Sequence, residues 1–220
     1  MKRRTLDIMF SLGGLVLAAL LLVMAIVLTS NASFAKDYTR DQLSAQKVTF
    51  KAADKLTDAE KAGAPCAIEY AGQALASGKQ AECYAEYIGV HVASTAEGRT
   101  YSTQGDFVNG LKAELAAAQK ANPQDPAKIA DLNSKITAAT AARETLFKGE
   151  TLRGLLLTSY GFSVFGEKGS QAATVAFIVS GLMLLLSLAG LYHAAKTPRT
   201  KGFAVPEMAA NGSQKVLTKV

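Results

Sequence analysis

Apolar and polar positions divide the chain into three parts. Two long apolar runs, Ile8 to Leu28 and Ala172 to Ala195, frame a middle stretch in which apolar residues return singly. Each run is long enough to cross a hydrocarbon core of about 30 Å at roughly 1.5 Å per helical residue. They predict transmembrane helices over 8–30 and 172–195. In the middle stretch, Val108, Leu111, Leu115 and Ala118 step by three and four, as do Ile129, Leu132, Ile136, Ala139, Arg143 and Leu146. That spacing lays an apolar stripe along a helix. Asn122-Pro-Gln-Asp-Pro126 separates the two stripes, with Asp125 placed to cap and Pro126 to begin the second helix. The pattern predicts an antiparallel helical hairpin, stabilised by packing because each helix is short and Ala-rich.

Smaller signals fill the rest. The first membrane helix is expected to continue to about Leu43, with Phe34 and Tyr38 on one face. Val48-Thr49-Phe50 alternates and predicts an extended segment. Thr57-Asp-Ala-Glu60 has the form of a capping box. Ala64-Pro65-Cys66 is expected to open a helix that Gly78 closes, and a further helix is expected over 80–96 with Gly98 as its stop. Cys83, Tyr87 and His91 share a face of that helix, and His91 is read as a packed residue with no carboxylate spaced to serve it. Gly149 to Gly169 is apolar and aromatic, but Gly154, Gly161, Gly166 and Gly169 are expected to interrupt it. We read this stretch as an interfacial segment at the outer leaflet or a docking segment beside the membrane.

Charge then sets the topology. Residues 31–171 hold sixteen basic and sixteen acidic residues, so the ends carry the whole +6 of the chain. Lys2, Arg3 and Arg4 precede the first run; Lys196, Arg199 and Lys201 follow the second. Basic flanks stay in the cytoplasm. The expectation is a mainly α protein: a two-helix transmembrane hairpin with a small α-helical extracytoplasmic domain. Residues 1–7 form the cytoplasmic N-terminus, 31–171 the outer domain, and 196–220 a flexible cytoplasmic tail. A cleaved secretory signal ending at Ser33-Phe34-Ala35 is the competing reading. The run of about 21 residues exceeds a signal's 7–15-residue apolar region and favours retention. Cys66 and Cys83 both lie outside, where two thiols form a disulfide. The neutral outer domain lacks the clustered basic surface that nucleic acid requires.

Residues in patterns that carry chemistry are few. There is no zinc spacing and no GxSxG, and Gly72 to Lys79 departs from a phosphate loop in spacing and in its missing Ser/Thr. Neither span carries a mid-depth charge for an ion pathway, and His193 is read as an interfacial residue instead of a haem ligand. The reading is a non-enzyme without cofactor or metal. Small residues do recur in the spans. Gly14 and Ala18 are expected to face Ser187 and Gly190. Ala172, Ala176 and Ser180 are expected opposite bulky Val23, Met24 and Val27, and so free for another protein's helix. With Arg153, Leu156, Tyr160, Phe162 and Phe165 they make the expected partner-binding set, Tyr160 and Phe162 as aromatic anchors and Arg153 as a polar one.

Three stretches carry a resemblance: Tyr38 to Leu43 (YTRDQL), Lys79 to Gly89 (KQAECYAEYIG) and Gly149 to Leu157 (GETLRGLLL). Together with the topology they resemble a group of actinobacterial two-span membrane proteins, over roughly residues 5–200. The group includes an accessory subunit of the cytochrome bcc–cytochrome c oxidase supercomplex. The resemblance implies a non-catalytic accessory or assembly subunit in the bacterial plasma membrane, with the lipid bilayer and an integral membrane complex, here cytochrome bcc and oxidase subunits, as partners. The alternative is a chain-length or assembly regulator of a surface polysaccharide. That class shows a proline-rich second span, and Ala172 to Ala195 has no proline.

Overall fold

In the computed structural model, which describes residues 3–121 and 123–198, every regular element is helical. Asn122 and the tail from Arg199 onward lie outside the described residues, and with them the expectation of a flexible tail. Helix α1 covers Arg3–Ala45, α2 Asp58–Gly63, α3 Cys66–Glu69, α4 Gly78–Thr95, α5 Tyr101–Lys120 and α6 Pro126–Lys196. Both α1 and α6 are long and apolar enough to cross a membrane. The chain divides into two compact units, one from residues 1–27 and 172–220, the other Leu28–Gln171.

In the first unit, α1 and α6 pack antiparallel through small side chains. Ser11, Ala18 and Ala25 are buried on α1 at seven-residue steps, and Ala173, Ser180, Ser187 and Ala194 repeat that step on α6. A seven-residue period keeps one narrow seam turned toward the neighbouring helix. Gly14 lies against Ser187 and Gly190 against Ser11, as expected from the spacing, with no room for a Cβ at either. The Ser180 hydroxyl donates to the Ala18 carbonyl at 2.8 Å. The outer faces carry exposed Leu17, Leu20, Ile178 and Leu185, side chains suited to lipid.

The second unit is built from capped helices. Thr57 and Glu60 form the expected capping box: the Thr57 hydroxyl accepts from the Glu60 N–H, and Glu60 Oε2 accepts from the Thr57 N–H at 2.7 Å. The helix expected from Cys66 to Gly78 stops at Glu69. Gly72, at φ +73°, turns the chain back, and residues 72–75 pair with 48–50 through three backbone hydrogen bonds. The extended Val48–Phe50 segment is thus real, and its pairing buries Leu75. Gly78 opens α4 instead of closing a helix, because Ser77 caps it. A Cβ at Gly78 would meet Ser163 of α6, so glycine permits that approach. Helix α4 ends at Thr95, and Glu97 at φ +55° and then Gly98 at φ +79° turn the chain. The Gly98 N–H donates back to the Ala93 carbonyl at 3.0 Å, so the stop expected at Gly98 begins one residue earlier.

Helix α5 starts at a Thr100–Thr103 cap, and its first residue, Tyr101, lies seven residues before the stripe begins at Val108. Asp125 accepts from the N–H groups of Ala127 and Lys128 at 3.0 and 3.1 Å, the predicted cap of α6. Val108, Leu111, Ala118, Leu132 and Ala139 are buried in one cluster, with Leu115, Ile129 and Ile136 against it. The larger core gathers Leu43, Phe50, Leu56, Leu75 and Leu156 around the Cys66–Cys83 disulfide, which joins α3 to α4. Closing that loop stabilises the fold by about 3 kcal/mol in the chain-entropy picture.

Candidate docking face

The stretch expected to be broken by glycine is continuous helix within α6. Glycine in a helix interior costs only about 1 kcal/mol relative to alanine, and two of these glycines are used for close packing. Gly149 lies against Val92 and Ile88, and Gly166 against Ala32 and Lys36. Gly154 and Gly161 face open space. An unbroken helix repeats its faces every three to four residues, so the residues of this stretch diverge around the axis.

They divide accordingly. Leu156 is buried in the core of the second unit. Arg153 donates to the Ala85 carbonyl at 3.1 Å and to both Glu150 oxygens at 2.9 Å, which ties α6 to α4. Lys79 sits 4.9 Å over the Tyr160 ring and donates to its hydroxyl at 3.3 Å. Phe162 and Phe165 point outward, 56% and 77% exposed. In the span pair, Ala172 is exposed, whereas Ala176 and Ser180 are buried. Ser180 reaches the Ala18 backbone, so this part of the small-residue ridge packs on the chain's own first span. The expectation of bulky neighbours there is corrected, because the seam runs through Ala18 and Ala25 while Val23, Met24 and Val27 turn away.

Beside Phe162 the structure forms a groove of about 230 Å³. Tyr38, Leu155 and Phe162 make its apolar walls; Thr39, Gln42, Thr158 and Ser159 supply hydroxyl and amide groups. Phe34 stacks on Tyr38 with ring centroids 5.6 Å apart. Charges interleave with these rings along both helices: Lys36, Asp37 and Arg40 on α1, Glu167 and Lys168 on α6. Tyr38 and Leu155 were not legible as groove residues, because their meeting depends on how two distant helices pair.

A second cluster surrounds Glu60, 1% exposed. Its carboxylate accepts from the Thr57 N–H, from Lys51 at 3.0 and 3.1 Å and from the Tyr87 hydroxyl at 2.9 Å. His91 Nε2 lies 3.0 Å from the same carboxylate. The partner carboxylate missing from the sequence reading of His91 therefore exists, 31 residues upstream. The Thr57 backbone hydrogen bond, aided by Lys51 and Tyr87 against the opposing effect of burial, holds the Glu60 carboxyl down at about 2. Burial, then the bond to Glu60, pushes the Tyr87 hydroxyl up to about 12. Among the described residues, no three His, Cys, Asp or Glu side chains are grouped to hold a metal ion. Comparison with protein-family models, curated proteins and solved structures finds no match to this chain.

Proposed function

We propose that this chain is a two-span plasma-membrane protein with both termini in the cytoplasm and its helical unit outside, serving as a non-catalytic accessory subunit of an integral membrane complex. Its resemblance to actinobacterial two-span proteins directs the proposal to the cytochrome bcc–cytochrome c oxidase supercomplex. There the prokaryotic respiratory supercomplex association factor is the member of similar layout. The observation that carries the proposal is the exposed groove of Tyr38, Leu155 and Phe162, with Phe34 and Phe165 beside it. The unit already fills its own core with Leu43, Phe50, Leu75 and Leu156, so these side chains have no internal use. Contiguous exposed apolar groups mark docking sites, and aromatic residues dominate their energetics. The charges interleaved with them are costly in hydrocarbon, which favours a protein partner over lipid at this face. The partner set therefore centres on Tyr38, Leu155, Phe162 and Phe165, with Tyr160 beside it and Arg153 and Leu156 acting inside the fold.

Co-purification after mild detergent extraction tests this. Wild-type protein is expected to bring down subunits with haem spectra, and a Tyr38→Ala/Phe162→Ala variant to lose them while keeping its disulfide and helical content. Haem spectra of the complex itself should persist, since this chain supplies no ligand. Unchanged co-purification of the variant, or wild-type protein migrating alone, would overturn the proposal.

A further inference from the structure

Arg3, Asp7, Phe10 and Gly14 succeed one another at steps of four, three and four, and so share a face of α1. Met183, Leu186, Gly190 and His193 share a face of α6 in the same way, with Thr197 just past its end. Two hollows lie along these faces. One, of about 330 Å³, runs along Phe10, Gly14, Met183 and Leu186 and is mostly apolar. The other, of about 230 Å³, is formed by Arg3, His193, Lys196 and Thr197 at the basic end of the hairpin. Asp7, which lines the first, and His193, which lines the second, are 3.0 Å apart.

The charges there are unbalanced. Asp7 is engaged by His193, and among the described residues neither Arg3 nor Lys196 has a carboxylate within ion-pair distance. The first turn of α1 holds no acidic residue. A basic pocket beside an apolar groove between two spanning helices matches a phosphate headgroup joined to an acyl chain. We propose that this flank binds an anionic phospholipid, its phosphate between Arg3 and Lys196 and one acyl chain along Phe10, Gly14 and Leu186. The proposal rests on the membrane-spanning reading and is independent of the accessory-subunit role.

The chain has no tryptophan, so Phe10→Trp places a single reporter indole at a position 78% exposed. The full chain is reconstituted in phosphatidylcholine vesicles containing a minor fraction of bromine-labelled phosphatidylglycerol or, in parallel, bromine-labelled phosphatidylcholine. The anionic lipid is expected to quench preferentially, with about fivefold tighter association for each cation engaged. Arg3→Ala with Lys196→Ala should bring the two lipids to parity, and inorganic phosphate should act no differently from chloride of equal ionic strength. Equal quenching in the reporter protein carrying both cations overturns the lipid site alone. Selective loss of quenching with inorganic phosphate overturns it in favour of a free-phosphate site. An indole quenched by neither lipid overturns the membrane reading and the site together, whereas failed co-purification would leave this result untouched.

Discussion

At Glu60 one buried carboxylate links the segment before α2, the cap of α2 and the middle of α4, through Lys51, Thr57, Tyr87 and His91. Because its folded-state value lies below the ordinary carboxylate value of 4.5, its contribution is fully present above about pH 4.5. It is lost as the pH falls through about 2, where the folded protein takes up the proton. The detergent-solubilised full chain should therefore lose thermal stability between about pH 4.5 and 2. Glu60→Gln should lower the melting temperature at neutral pH and flatten the part of that decline due to this group. Melting curves at stepped pH, followed by circular dichroism, check both. The capping role of Glu60 was legible because Thr57 and Glu60 stand three apart. Its other donors come from 9 and 27 residues away along the chain, and local spacing carries no information about them.

The hairpin of α5 and the first turns of α6 is the element that sequence describes best. A three/four period is a property of the helix itself, so the stripes announced both helices and the faces that meet. Leu132 is 3% exposed at the centre of their cluster. Leu132→Ala should cost about 2–5 kcal/mol, as truncation of a packed leucine does. Limited proteolysis of the solubilised protein, comparing cleavage rates in α5, checks the figure. The opposite case is residues 149–169, where four glycines were read as breaks. Glycine lowers helix propensity by an amount that neighbouring packing exceeds. Of the four, Gly166 sits where a Cβ would crowd the Ala32 carbonyl of α1, and Gly149, which opens the stretch, sits where one would collide with Val92 of α4. Their position in the sequence signals close approach as readily as interruption, and only the neighbour distinguishes the two.

For the whole molecule, the proposed topology rests on the segregated charge and the disulfide. The basic residues that give the chain its +6 lie at its ends, and Cys66–Cys83 is oxidised, as thiols are in an oxidising compartment. With the native cysteines paired, Gln124→Cys and Thr5→Cys each supply one reactive thiol. A membrane-impermeant maleimide applied to intact cells should label the first and leave the second unmodified until the membrane is permeabilised. Labelling of Thr5→Cys in intact cells would reverse the proposed topology.

Sequence by itself determined the two apolar helices, the capping box at Thr57, the hairpin stripes and the pairing of the cysteines, because each depends on residue type or short spacing. The approach of Gly14 to Ser187 was also readable, since two antiparallel helices of known length leave one register for small residues to meet. Tertiary structure alone decided that Ala176 and Ser180 turn inward, that Arg153 braces α4, and that Glu60 gathers His91. It likewise decided which aromatic residues stay in water: Leu156 and Phe162 are six residues apart in one apolar stretch, yet the first fills the core and the second lines a groove. The physical reason is rotation about the helix axis. About 100° per residue separates neighbours onto different faces, and which face is covered depends on partner helices, α4 and α1, that lie far away along the chain.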